Sequence, residues 1–289
     1  MDNEWVIDDR NRPGHVLSSI PFDPFVETFG LGRMQDIDKV SSILTRYPVM
    51  EVLCRSGKGG VFHAFDANSD LQTELIAKIG LRRGQSLPDG RDGAYFLRHE
   101  RSMYEVMSSM GLAEYLPKVI DFSSEYDANV MILERIQGEN LAEWRRCGGS
   151  DPQWLEMALR MIREIHERGF LLGDAKTANF IKCDFRLVLV DLESCRLLRD
   201  GDVVDYPATF NILGVKSLSL YDIDLIHFLV SAIYAGDDMA FSLGRARSID
   251  VQQVLADFVP KDQWDISALD ELTRIMRGTH ESGGTDGGG

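Results

Sequence analysis

Residues His166–Glu193 read HERGFLLGDAKTANFIKCDFRLVLVDLE, and the placing of charged and apolar positions in this stretch decides how the rest of the chain is read. The run Leu187-Val188-Leu189-Val190 leads directly into Asp191, the pattern of a short buried strand that delivers a carboxylate to its rim. Asn179-Phe180-Ile181 begins a partner strand, and Lys182-Cys183-Asp184 supplies polar residues for the turn between them, so a hairpin brings Asn179 near Asp191. Asp174 and Lys176 lie just upstream. This spacing suits metal-assisted phosphoryl transfer. Asp174 can orient and accept the proton of an attacking hydroxyl, while Asn179 and Asp191 can hold Mg²⁺ against nucleotide phosphates.

Composition sets the frame. The chain has 289 residues, 44% of them hydrophobic, enough for a sizeable core and for two lobes. Its 31 Lys and Arg against 46 Asp and Glu give a formal net charge of -15, which argues against a nucleic-acid backbone as partner. Cys54, Cys147, Cys183 and Cys195 form no C-x-x-C pair, so reduced thiols and a cytoplasmic location are expected, without a zinc site. The start of the sequence shows no signal peptide, and no apolar stretch is long enough to span a membrane.

Around the opening stretch, the order of elements predicts a strand-rich half followed by a helix-rich half. Residues 1–45 carry scattered Pro and Gly and read as an extension; residues 279–289 hold nothing to bury and read as a flexible tail. Val49–Cys54, Val61–Phe65 and Leu75–Ile79 are β-prone runs separated by turn residues. A helix over Ala94–Met110 follows, with Phe96, Met103, Met107 and Met110 on its apolar stripe and Gly111 as its stop. Two more strands, Lys118–Phe122 and Val130–Leu133, precede Gly138. Beyond it Asp151-Pro152 starts a helix with Leu155, Leu159, Ile162 and Ile165 on one face. The expected division is therefore 46–134 and 135–278.

Three further clusters carry chemistry. Gly57-Lys58-Gly59-Gly60-Val61 lies between two strands, where glycines let backbone N–H groups approach phosphates. Leu75-Ile76-Ala77-Lys78 ends a strand in a cation. Glu100 sits on the apolar stripe of the following helix, and a carboxylate there needs a cation, for which Lys78 is the candidate.

Taken in order, these elements resemble the protein-kinase superfamily over about residues 50–230: an irregular glycine loop, a third-strand lysine with its helix glutamate, a hinge over Met131–Gly138, a catalytic loop Leu172–Asn179 and a D-F-G position occupied by Asp191-Leu192-Glu193. The resemblance implies an α+β, two-lobed protein-kinase-like fold with a strand-rich N-lobe and a reduced helical C-lobe. It implies an ATP- and Mg²⁺-dependent phosphotransferase. Asp174 and Lys176 are then catalytic, and Asn179 and Asp191 are metal ligands. Gly57, Gly59, Gly60, Val61, Ile76, Lys78, Glu100 and the backbone at Glu134 and Ile136 surround the nucleotide. His166 is read as a packing residue, and Asp222 is given the role of anchoring the catalytic loop from below.

The sequence departs from the family pattern at several points. Cys54 and Ser56 stand where two loop glycines belong, Leu172 and Gly173 stand where the family has His and Arg, and no A-P-E falls between Glu193 and Asp222. Without an arginine beside Asp174, activity is expected without phosphorylation of the loop from Ser194 to Tyr221. Lys176 favours a protein or peptide Ser/Thr acceptor, whereas Gly173-Asp174 also resembles RIO-type and aminoglycoside-phosphotransferase-type enzymes. Two alternatives therefore stand beside the protein kinase: a small-molecule kinase and a nucleotide-binding pseudokinase.

Overall fold

A computed structural model describes residues 42–69, 73–82, 84–124, 127–149, 151–198 and 220–233, with isolated positions between 268 and 275. Most of the expected extension, the tail and most of the loop from Ser194 to Tyr221 lie outside the described residues. The fold is α+β, built on an antiparallel sheet with helices. The described residues group into two compact units, one of residues up to Glu105 with Pro117–Arg135, the other of Val106–Leu116 and residues from Ile136 onward.

The first unit begins with α1 (Ser42–Arg46), then β1 (Val49–Ser56), β2 (Gly59–Phe65), β3 (Glu74–Leu81), α2 (Gly93–Met107), β4 (Val119–Ser124) and β5 (Ala128–Glu134). The strands form one antiparallel sheet in the order β1-β2-β3-β5-β4. Alternation along β3 sends Leu75, Ala77 and Ile79 into a core with Phe62, Ala64, Val130 and Ile132, covered by Ile43, Leu44 and Tyr47. The opposite face carries Lys78, in register with Val61 on β2 and Met131 on β5. Strand β5, flanked by β3 and β4, is buried on both faces, which is why its apolar run is unbroken from Val130 to Leu133.

Helix α2 ends at Met107, and a wider turn over Ser108–Leu112 follows, in which Gly111 takes φ 85°. The buried face of α2 differs from the expected stripe: Ala94, Leu97, Glu100, Met103, Tyr104 and Met107 are buried, whereas Phe96 is half-exposed and Met110 exposed. Glu100 falls inside the buried face.

The second unit contains β6 (Glu139–Asn140), α3 (Leu141–Arg146), α4 (Pro152–Glu167), β7 (Phe170–Leu171), β8 (Phe180–Cys183), β9 (Arg186–Leu189), β10 (Arg196–Leu197) and α5 (Leu220–Ile233). Helix α4 starts where Asp151 accepts a hydrogen bond from Gln153 N at 3.0 Å, with Pro152 in the first turn. It buries Trp154, Ala158, Leu159, Met161, Ile162 and Ile165, a face turned slightly from the one expected, since Leu155 is half-exposed.

Strands β8 and β9 pair from Phe180↔Leu189 to Cys183↔Arg186, which corrects the expected turn: Lys182 and Cys183 belong to β8, and Asp184-Phe185 turn the chain. Asp184 takes φ 47°, a conformation Asp tolerates better than most residues. Lys182 is stabilised in the strand by two indoles, its Nζ lying 5.4 Å from the Trp144 ring and 5.0 Å from that of Trp154.

Helix α5 buries nearly every residue from Asp224 to Val230, including His227 at 1% exposure. Burial pushes the His227 imidazole from 6.5 down to about 3. The folded protein therefore binds this proton more weakly than the unfolded chain. Stability is complete above the unfolded value and is lost as pH falls from about 6.5 toward 3, with a slope of at most about 1.4 kcal/mol per pH unit. In His227→Leu that slope should disappear, so the variant should gain on the parent as pH falls through this window in urea titrations. Parallel curves would show that His227 takes up its proton in the folded state.

Candidate functional site

Lys78 leaves the sheet on the face covered by α2, and its Nζ lies 2.6 Å from Glu100 Oε1 with the two side chains 15% and 3% exposed. The helix is also held to the sheet at its start, one turn and more before Glu100. Asn129, fully buried, donates from Nδ2 to Ala94 O at 2.6 Å and accepts from Ser124 Oγ at 2.8 Å. At Gly80 a Cβ would come within 2.2 Å of Gly93 O, so β3 and the start of α2 approach backbone to backbone. Val61 and Ile76 lie on the same face as Lys78, by register and by alternation.

The glycines before Val61 are not all in a loop. Gly59 and Gly60 belong to β2, and Gly57-Lys58 form the turn. A Cβ at Gly59 would meet Ile79 O at 1.9 Å, and one at Gly57 would meet the Gln85 side chain at 2.8 Å. Gly57 O accepts from Gln85 N at 2.6 Å and Lys58 O accepts from Leu81 N at 2.8 Å, while Lys58 Nζ sits 4.4 Å from the Phe96 ring centre. Close packing within the unit, against backbone at Gly59 and against the Gln85 side chain at Gly57, therefore accounts for these two glycines by itself. Glu134, at the end of β5, uses its N–H on Lys118 O at 2.9 Å and its carboxylate on Lys118 N at 3.1 Å. Ile136 begins the second unit's share of the chain and is buried.

In the second unit Asp174, Lys176 and Asn179 come together. Lys176 Nζ donates to Asp174 Oδ2 at 2.8 Å, and Asn179 Nδ2 donates to Asp174 O at 3.0 Å and to Oδ2 at 3.4 Å. The carboxylate is thus oriented by two donors, one charged, and stays partly exposed. Asn179 closes a 3₁₀ turn over Thr177–Asn179, and its O accepts from Val190 N at 2.9 Å, which fixes Asn179 beside the residue that precedes Asp191. Asp191 has φ 66°, one of two non-glycine residues with positive φ among the described residues. Backbone strain of this kind collects at functional sites.

The loop carrying Asp174 is anchored by Asp224, and the expectation for Asp222 is corrected. Asp224 is fully buried; its Oδ2 accepts from Leu172 N at 2.6 Å and lies 3.1 Å from His166 Nε2, and its Oδ1 accepts from Gly173 N at 2.9 Å. Asp222, two residues earlier, is half-exposed in the first turn of α5. His166 is likewise more than packing: it joins this carboxylate and stacks on Tyr221 with ring centres 4.6 Å apart. Gly173 takes φ 72°, and a Cβ there would approach Ser194 O to 2.7 Å, which explains why no arginine occupies this position.

All four cysteines are free. Burial, with Asp224 nearby, pushes the Cys195 thiol far above its usual range, and its Sγ packs 3.9 Å from Met107 Sδ, so it serves as a core residue rather than a nucleophile. Among the described residues no three His, Cys, Asp or Glu side chains gather as a metal cluster. The donor set at Asn179 and Asp191 fits Mg²⁺ nonetheless, because that ion takes one or two hard protein oxygens and completes its shell with phosphate and water. With Asn179 Nδ2 turned toward Asp174, its Oδ1 is the atom available to such an ion. No helix among the described residues is long and apolar enough to cross a membrane. The chain matches no protein-family model and no curated protein sequence.

Proposed function

We propose that this chain is an ATP- and Mg²⁺-dependent phosphotransferase with a compact, two-lobed protein-kinase-like fold, acting on a serine or threonine hydroxyl of a protein or peptide. The observation that carries the reading is the Asp174 carboxylate, oriented by Lys176 and Asn179 on a loop whose backbone is tied to buried Asp224. An acid held in this way can align an acceptor hydroxyl and take its proton, while Lys176 offsets charge on the transferring group. Asn179 and Asp191 would hold Mg²⁺, whose chemistry is to neutralise charge on the nucleotide phosphates. Lys78, steadied by Glu100, would grip those phosphates.

A nucleotide-binding reading without transfer is favoured by one observation: Gly57 and Gly59 pack against Gln85 and Ile79, so packing within the unit accounts for both glycines without a phosphate. Radiolabelled ATP given to the protein with a generic protein acceptor, with an aminoglycoside panel and with no acceptor separates the readings. Label on the protein acceptor is the expected result. Label on an aminoglycoside would move the assignment to a small-molecule kinase, and ATP binding without label in any arm would leave a pseudokinase.

The Lys78–Glu100 pair gives a sharper test. Lys78→Met removes the cation beside a carboxylate side chain that is only 3% exposed, so it should lose both transfer and about 3–5 kcal/mol of stability. In Lys78→Met/Glu100→Leu no buried charge is left, and most of the stability should return while transfer stays absent. Recovery of transfer in the double variant would remove Lys78 from the phosphate site.

A further inference from the structure

Helix α5 meets the Asp174 loop at a second place. Ser231 Oγ accepts from Thr177 N at 2.8 Å and donates its own proton to Phe228 O at 2.8 Å. With that single proton committed, the lone pairs of the hydroxyl are left to face Thr177 N–H. Thr177 Oγ1 also reaches Ser231 O at 3.4 Å. Thr177 is 4% exposed and opens the 3₁₀ turn that ends on Asn179, a position whose N–H finds no partner within its own turn.

We infer that Ser231 is a positioning residue for Asn179 and Asp174, the second half of a clamp whose first half is Asp224. Its kinetic consequence rests on the phosphotransferase reading; the clamp itself does not. Seven residues along a helix rise about 10.5 Å, so the two attachments are well separated. Asp224 holds the loop at Leu172 and Gly173. Without the Thr177 contact the segment would be held only at its two ends, by Asp224 at Gly173 and by Val190 N at Asn179 O, leaving the residues between able to shift. Fixing Thr177 as well sets the orientation of the segment between, and with it the Asn179 amide that reaches Asp174.

The test uses the full chain with Ser231→Ala and Ser231→Thr, each checked by melting. Should the alanine variant unfold, Ser231→Cys, a weak acceptor of similar size, replaces it. Amide exchange at Thr177 should quicken by roughly tenfold or more in Ser231→Ala, while Leu172 and Gly173 keep their protection, and Ser231→Thr should restore the slow rate. In transfer assays Ser231→Ala should lower kcat by roughly tenfold and raise the Mg²⁺ concentration for half-maximal rate several-fold, leaving KM for ATP within about twofold. Unchanged exchange at Thr177 overturns the clamp. Faster exchange with unchanged kcat and Mg²⁺ dependence overturns the positioning role. If the parent transfers phosphate to no acceptor, the phosphotransferase reading fails separately, and Mn²⁺ broadening of the Asn179 amide signal decides the matter: weaker broadening in Ser231→Ala supports the inference, equal broadening overturns it.

Discussion

Asp224→Ala should abolish phosphoryl transfer and lower stability by about 3–5 kcal/mol, since each buried N–H left without an acceptor costs about 1–3 kcal/mol. The carboxylate is fully buried and serves Leu172 N, Gly173 N and His166 Nε2 at once. A loss of that size is a large share of the roughly 5–15 kcal/mol that holds a domain folded. Asp222→Ala is the control. That residue sits half-exposed in the first helical turn, where an acid is worth about 0.3–1 kcal/mol through the helix dipole, and its loss should leave transfer measurable. Urea unfolding of the two variants and their rates at saturating ATP make the comparison. Equal losses at the two positions would show that the hydrogen bonds from the loop to Asp224 carry no special weight.

The same pair of aspartates shows where sequence reading stops. Tyr221-Asp222-Ile223-Asp224 opens a helix that is apolar on nearly all sides afterwards, so no stripe marks which acid faces inward. The first acid reads as the natural helix-start residue. Tertiary packing chose the second, because only there does a carboxylate meet two loop N–H groups. The β8–β9 turn was hidden for a related reason: Lys182 looks like a turn residue until Trp144 and Trp154, from α3 and α4, are seen beside it. Glu100, by contrast, was legible. A lone carboxylate on an apolar stripe implies a cation nearby, even though the stripe itself runs through Leu97 rather than Phe96. Asp174, Lys176 and Asn179 were legible as residues of one loop, but the hydrogen bonds among them were not: those come from the 3₁₀ turn, which keeps residues two and five apart within reach.

Asp191→Asn should lower transfer by about 10³-fold or more while changing stability by less than about 1 kcal/mol, and the choice of asparagine matters. Asp191 holds φ 66°, a conformation that Asn and Asp tolerate and that costs alanine roughly 1–2 kcal/mol. Alanine would therefore mix backbone strain with loss of charge. Asparagine keeps the conformation and an oxygen donor while removing the negative charge that a divalent ion needs. Asp191→Gly completes the set: relieved of strain, it should be more stable than Asp191→Ala, by roughly 1 kcal/mol, yet equally inactive. An asparagine variant that keeps its rate would sink the metal-ligand role, and alanine matching glycine in stability would mean that Asp191 relaxes out of the left-handed region in solution. If the strained backbone serves to aim the carboxylate rather than to hold the fold, the glycine variant is inactive and still the more stable of the two.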